Sequence, residues 1–310
     1  MRKLLVFVLA CATVMAIAPG AQAAEPRYVT ILFGRTQWAQ AENCVQMPGA
    51  VTLGQVADAM TARGLTATAN IVWNQVPNSG FWCEGGFSLH PGWDRIQPLV
   101  NAGWHVSSAG KYYRAFSSLT PSQQRDASCG SLPLFRQRGI DASGLFSYPN
   151  DSWSVTAQTN VVSTCFDWGR TYGTGITSRW TAGPPWFQST HTTQGANCSI
   201  PNAGCPYAAQ EKWRYTHPDR ILATMTSLQP DQWYSVQFYR FVTGSNLDPL
   251  DRFRWDCRAT NPGLHWATRP EVYCWSDFVR VLDGLANLRT TSGLVVTDPA
   301  TVANAWGRSV

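Results

Sequence analysis

Short β-branched runs and runs of helical period alternate along this chain. Tyr28–Phe33 reads as a strand, followed by a long loop to Ala50. Thr52-Leu53-Gly54-Gln55 is a capping-box pattern, and Leu53, Val56, Ala57 and Met60 then recur at helical spacing, with Gly64 as a stop. Thr66–Trp73 alternates as a second strand. Trp93, Ile96 and Val100 mark the next helix, ended by Gly103, in which Pro98 predicts a kink or a short first turn. Trp104–Ser108 is a third strand, and Thr120-Pro121-Ser122-Gln123 repeats the capping logic with proline at the first helical position. Gly144–Tyr148 and Cys165–Trp168 give a fourth and a fifth strand. Residues 173–215, rich in Gly, Pro, Thr and Trp, read as an extended, disulfide-pinned insertion. A helix from Pro218 to Leu228 leads into the late strand Trp233–Val242. A second insertion, Thr243–Cys274, precedes a helix carrying Phe278, Val281, Leu282 and Leu285, and Leu294–Thr297 with a short helix closes the chain.

Repeated strand–helix alternation predicts an α/β protein with a parallel sheet, and an irregular (β/α) barrel is the economical closure at this length. Both insertions follow strands, which places them on the face where such barrels carry their sites. No internal repeat, heptad pattern or low-complexity linker interrupts residues 25–310, which read as one domain of about 286 residues.

The first 24 residues have the layout of a secretory leader: Arg2 and Lys3, an apolar stretch from Leu4 to Ala18, and Ala21-Gln22-Ala23 as a small-x-small cleavage site. The apolar run stops short of a membrane span, and no later segment has the roughly 18 uninterrupted apolar residues of one. The reading is therefore a secreted chain with no transmembrane segment after cleavage. Loss of the leader removes Cys11 and leaves Cys44, Cys83, Cys129, Cys165, Cys198, Cys205, Cys257 and Cys274. An even count in an exported chain predicts four disulfides, of which proximity in sequence favours Cys198–Cys205 and Cys257–Cys274. No Cys-x2–4-Cys spacing supports zinc.

The formal charge of +5 drops to about +3 without the leader, with no basic run, so nucleic acid is not an expected partner. Fifteen tryptophans do change the picture. Many fall near predicted strand ends, where aromatic faces suit contact with sugar rings, although each also suits core packing.

Val29–Gln37 (VTILFGRTQ), Gly103–Tyr113 (GWHVSSAGKYY), Leu145–Asp151 (LFSYPND) and Trp233–Phe241 (WYSVQFYRF) follow one another as successive strand ends. In order and spacing they resemble the NodB-type polysaccharide deacetylases, the family 4 carbohydrate esterases. The resemblance runs from Val29 to about Ala303 and implies a sugar-facing barrel. It sets Cys44 beside Cys83 and Cys129 beside Cys165. Members of that family remove acetyl groups with a divalent metal held by one aspartate and two histidines. Here the first-motif carboxylates fall on Gly34 and Arg35, the histidine pair on Ala109 and Tyr113, the arginine on Ser147 and the late histidine on Tyr239. Glycine and alanine offer no donor atom, and an arginine beside a divalent ion adds several kcal/mol of repulsion, roughly, even at an effective dielectric near 20.

The resemblance thus implies a glycan-binding barrel without the standard chemistry and without a predicted cofactor. Residues projected onto the mouth as substrate-binding are Arg35, Trp38, Trp73, Lys111, Tyr113, Tyr148, Tyr239 and Arg240. The alternative is an active carbohydrate hydrolase, either a deacetylase with relocated ligands for zinc or another divalent metal, or a glycosidase using Asp151 and Asp167 as an acid–base pair. The cationic set Arg35, Lys111 and Arg240 suits an acidic sugar or phosphate, and equally suits pairing with Asp151 and Asp167. The expected partner is a cell-wall or extracellular polysaccharide.

Overall fold

The computed structural model describes residues 25–36, 39–42, 44–84, 88–180, 186–192, 216–248, 250, 254–260, 265–267 and 272–308. The expected leader, Trp38 and the Cys198–Cys205 pair lie outside the described residues. Seven parallel strands form the centre: β1 (Tyr28–Phe33), β2 (Thr68–Ile71), β3 (His105–Ser108), β4 (Leu145–Ser147), β5 (Trp168–Tyr172), β6 (Phe187–Thr192) and β7 (Gln232–Phe238). They neighbour one another in that order, and β7 returns to pair with β1 from Tyr28↔Trp233 to Phe33↔Phe238. The sheet is therefore a barrel, thinnest between β3 and β4, where Ser108↔Phe146 is the joining pair. Closure leaves no long open edge among these strands.

Side-chain alternation on β1 divides the interior in two. Val29, Ile31 and Phe33 join the main core between sheet and helices, whereas Tyr28 and Leu32 join a separate cluster with Trp168, Trp233 and Trp306. Trp168 meets Trp233 edge-on at 5.4 Å and Trp306 at 5.9 Å, plugging one end of the barrel with indoles. Further along the same strands the inner positions turn polar: Thr30, Asn70, Ser147, Arg170, Ser235 and Gln237 are all buried. The seam between β1 and β7 is covered by the helix Trp275–Ser292, with Phe278 lying 4.9 Å from Phe238 and 6.1 Å from Phe33.

Both capping boxes form. Gln55 N–H donates to Thr52 Oγ1 at 3.2 Å while Gln55 Oε1 accepts from Thr52 N–H at 2.8 Å, opening helix α1 (Leu53–Thr61). Thr120 and Gln123 do the same for the helix Pro121–Ala127. Helix α2 (Trp93–Asn101) runs through Pro98 as one nine-residue element. The expected short first turn is absent because a single proline removes only one hydrogen bond, and Trp93 and Ile96 anchor the buried face.

Four expectations change. The fifth strand starts at Trp168 rather than ending there, because residues 162–164 turn as a 3-10 helix and Cys165 is tied to Cys129 before the chain extends. Part of the first insertion is a barrel strand, β6, whose polar inner positions Gln188 and Thr190 disguise it. The late strand divides at Tyr239: β7 ends at Phe238, and Arg240–Val242 leaves the barrel to pair with Ala50–Val51 and Val272–Cys274. The stretch expected as loop before Ala50 carries Ala39–Glu42, which joins the hairpin of Phe81–Glu84 and Ser88–Pro91. Disulfides join Cys44 to Cys83, Cys129 to Cys165 and Cys257 to Cys274. Among the described residues no helix is long and apolar enough to cross a membrane.

Candidate functional site

The polar inner positions open into a cavity of about 260 Å³ at the C-terminal ends of the strands. Gly34 and Arg35 follow β1, Asn70 lies on β2, Ala109 and Tyr113 follow β3, and Ser147 to Asp151 end β4 and its turn. Arg170 and Tyr172 lie on β5, Gln237 on β7, and Tyr239 and Arg240 follow it.

Gly34 is dictated by its neighbours. A Cβ there would overlap Cε1 of Tyr239 and lie 2.6 Å from its Cδ1 and 2.7 Å from Gln237 Nε2. The Tyr239 ring thus fills the volume a carboxylate at position 34 would need. Its hydroxyl meets that of Tyr172 at 2.5 Å, and Tyr172 also accepts from Gln237 Nε2 at 3.1 Å. Burial, reinforced by Tyr172, pushes the Tyr239 hydroxyl well above the usual tyrosine range, so it stays protonated.

Arg35 adopts a left-handed backbone, φ 56°, and its charge is already matched. The guanidinium pairs with Glu84, donates to Gln75 Oε1 at 3.2 Å and lies 3.9 Å over the Tyr113 ring. Buried His90 sits 3.3 Å from Glu84 and 3.1 Å from the Arg35 carbonyl. Burial alone would raise the Glu84 carboxyl, but hydrogen bonds and charge from His90 and Arg35 outweigh it and hold the group down at about 2. Burial pulls the His90 imidazole below its ordinary value against the pull of Glu84.

Arg170 is the buried cation of the wall, 4% exposed. It donates from Nη1 to Gln237 Oε1 at 3.1 Å and lies 4.1 Å over the Tyr172 ring, while its buried Nε has no hydrogen-bond partner. In the sheet register Arg170 stands opposite Ser147, the position where the family resemblance expects an arginine. The guanidinium therefore comes from the adjacent strand. Asn150 and Asp151 both take left-handed backbone, φ 54° and 52°, which Asn and Asp tolerate better than most residues. This turn brings Asp151 to the cavity with Oδ1 buried and unpartnered. Burial pushes its carboxyl up, against a weaker opposing pull from Arg170.

Of the expected site residues, Arg35, Tyr113, Tyr148, Asp151, Tyr239 and Arg240 meet at the cavity. Tyr148 donates to Gln158 Oε1 at 2.5 Å and is nearly all buried, and Arg240 donates to Ser88 Oγ at 2.6 Å. Three others lie elsewhere. Trp73 packs against Trp93 and Phe135 at 5.3 and 5.2 Å, its apolar ring favouring the core. Lys111 turns away to pair with Asp126. Asp167 precedes β5 whereas Asp151 follows β4, so the two carboxylates stand at opposite ends of the barrel and form no acid–base pair. Asn70, Arg170, Tyr172 and Gln237 escape the sequence reading. The alternation Trp168-Gly169-Arg170-Thr171-Tyr172 is the pattern that would have found Arg170 once the strand was placed correctly.

The side chains do not suit a divalent metal. Among the described residues the cavity wall holds one carboxylate, three guanidiniums and no imidazole. Among the described residues, His265, Cys274 and Asp277 are the only three potential ligands close enough to share an ion. There the Cys274 sulfur is bonded to Cys257, and His265 Nδ1 is 2.9 Å from Asp277 Oδ2.

No protein-family model and no curated protein matches the chain. Among solved structures it is similar to a family 4 carbohydrate esterase from Streptomyces lividans, with 11% identity over 93% of this chain and 97% of the other and a TM-score of 0.42. It is similar to a family 4 acetyl xylan esterase from Clostridium thermocellum, with 12% identity, 91% and 93% covered and a TM-score of 0.44. A probable polysaccharide deacetylase from Pseudomonas aeruginosa PAO1 gives 8% identity, 92% of both chains and a TM-score of 0.47. These likenesses are of coarse architecture. The chemistry of the cavity rests on its own side chains.

Proposed function

We propose that this chain is an exported, deacetylase-like barrel that binds a cell-wall or extracellular glycan at the cavity without metal-dependent deacetylation. The observation that carries the reading is the exchange at the ends of β1 and β7. Tyr239 occupies the space beside Gly34, and the neighbouring Arg35 is paired with Glu84, so of the two positions expected to carry the first-motif carboxylates one is blocked by an aromatic ring and the other holds a paired cation. What remains has the makings of a sugar site: hydroxyls and amides from Tyr172, Tyr239, Asn70 and Gln237 beside the half-buried Tyr113 ring. Trp153, 42% exposed and 5.0 Å from Phe187, follows the Asn150–Asp151 turn and adds an aromatic surface close by in sequence. The leader-like N-terminus and the three disulfides support export.

The test combines elemental analysis, acetate release and glycan pull-down. The purified protein is expected to hold no stoichiometric metal, to release no acetate from acetylated xylan or chitooligosaccharide with zinc added, and to bind insoluble cell-wall glycan. Tyr113→Ala is expected to weaken that binding about tenfold, the worth of one stacked aromatic contact of roughly 0.5–1.5 kcal/mol. Chelator-sensitive acetate release, or binding indifferent to Tyr113→Ala, refutes the reading.

A further inference from the structure

A guanidinium stays charged at any physiological pH, and a buried one is stable only with anionic or hydrogen-bonding support. Arg170 draws its close support from neutral groups: Gln237 and Tyr172 supply hydrogen bonds, and no carboxylate among the described residues lies within ion-pair distance. Asp151 shares the cavity wall and feels the Arg170 charge, but the two form no ion pair. Of the other two arginines of the wall, Arg35 is matched by Glu84 and Arg240 donates to the Ser88 hydroxyl. The wall therefore carries more positive than negative charge, concentrated where β5 meets the cavity.

We propose that the cavity selects a carboxylate-bearing saccharide, with the Arg170 guanidinium supplying the countercharge that holds the sugar's carboxylate. This rests on the glycan-binding reading and gives it a substrate class. A planar carboxylate matches a guanidinium fork, and a wall whose cations are already partly supported suits a monoanion better than a phosphate dianion. The volume of about 260 Å³ suits one sugar unit rather than an enclosed chain. Burial raises the Asp151 carboxyl, which lessens its opposition to a bound carboxylate.

The test is calorimetric titration at neutral pH of the full-length protein with a uronic-acid hexasaccharide, the matching neutral hexasaccharide and inorganic phosphate. The acidic sugar is expected to bind at least tenfold more tightly than the neutral one, the range for a charge-assisted hydrogen bond being roughly ten- to a hundredfold. Arg170→Gln, with unchanged circular dichroism, is expected to bring the two within about threefold, and Arg170→Lys to keep part of the preference. Should Arg170→Gln misfold, Asp151→Asn decides: it removes the one wall carboxylate and is expected to preserve or tighten acidic-sugar binding. Equal binding of neutral and acidic sugars overturns this inference and leaves the glycan reading standing. Stronger competition by phosphate, or loss of acidic-sugar binding in Asp151→Asn, overturns the carboxylate assignment. Failure of every saccharide to bind removes both.

Discussion

Gly34 and Tyr239 form the most sharply testable contact of the site. In Gly34→Ala the added methyl group meets the Tyr239 ring, 2.6 Å from Cδ1, where ordinary contacts need a good ångström more. The backbone at Gly34 is not left-handed, so the cost is steric rather than conformational. Overpacking of this kind costs about 1–3 kcal/mol, and displacing the ring breaks the Tyr172–Tyr239 hydrogen bond, about 0.5–1.5 kcal/mol more. A loss of about 2–4 kcal/mol is expected, a fall in Tm of about 3–7 °C for a chain of this size. Urea denaturation followed by tryptophan fluorescence measures it. The decisive comparison is the double-mutant cycle with Tyr239→Ala: with the ring gone, the methyl group meets only the Gln237 amide, and the penalty of Gly34→Ala should shrink by about 1–3 kcal/mol. Strict additivity of the two substitutions refutes the claim that this ring fills the carboxylate's space.

Glu84, held at about 2 against an ordinary 4.5, contributes stability that is present above its unfolded value and lost as pH falls through the folded one. Denaturant midpoints should therefore drop between pH 5 and pH 2 (roughly that window) more steeply in the parent protein than in Glu84→Gln. Opening the Cys129–Cys165 bridge by a paired substitution to serine frees a loop with a sequence separation of 36. The expected loss is about 4 kcal/mol on the chain-entropy model, read from the shift in denaturation midpoint.

The helices opened by capping boxes and the first four strands were legible because their chemistry is local. Thr52 with Gln55, and Thr120 with Gln123, announce their caps within four residues, and β1 is continuously β-forming. The site was legible only where the family frame supplied positions, as at Arg35, Tyr113 and Tyr239. Arg170 was hidden because β5 and β6 carry polar side chains on their inner faces, so the apolar alternation that marks a half-buried strand is missing. The pairing of Arg35 with Glu84, 49 residues away, has no sequence periodicity to betray it. Trp73 and Lys111 misled for the opposite reason: residue type suited a binding role, and only packing shows that one belongs to the core and the other to Asp126.

The join between β1 and β7 couples distant parts of the polypeptide, with Trp233 Nε1 donating to Thr30 Oγ1 across 203 positions. A nascent chain that has reached the helix Pro218–Thr226 still has Tyr28–Phe33 exposed along one flank, a ready template for another molecule. Assembly thus waits for the final quarter of synthesis, and a contact order dominated by so distant a pairing makes it slow. The early disulfide Cys44–Cys83 can restrain the waiting segment, but it cannot supply the missing neighbour.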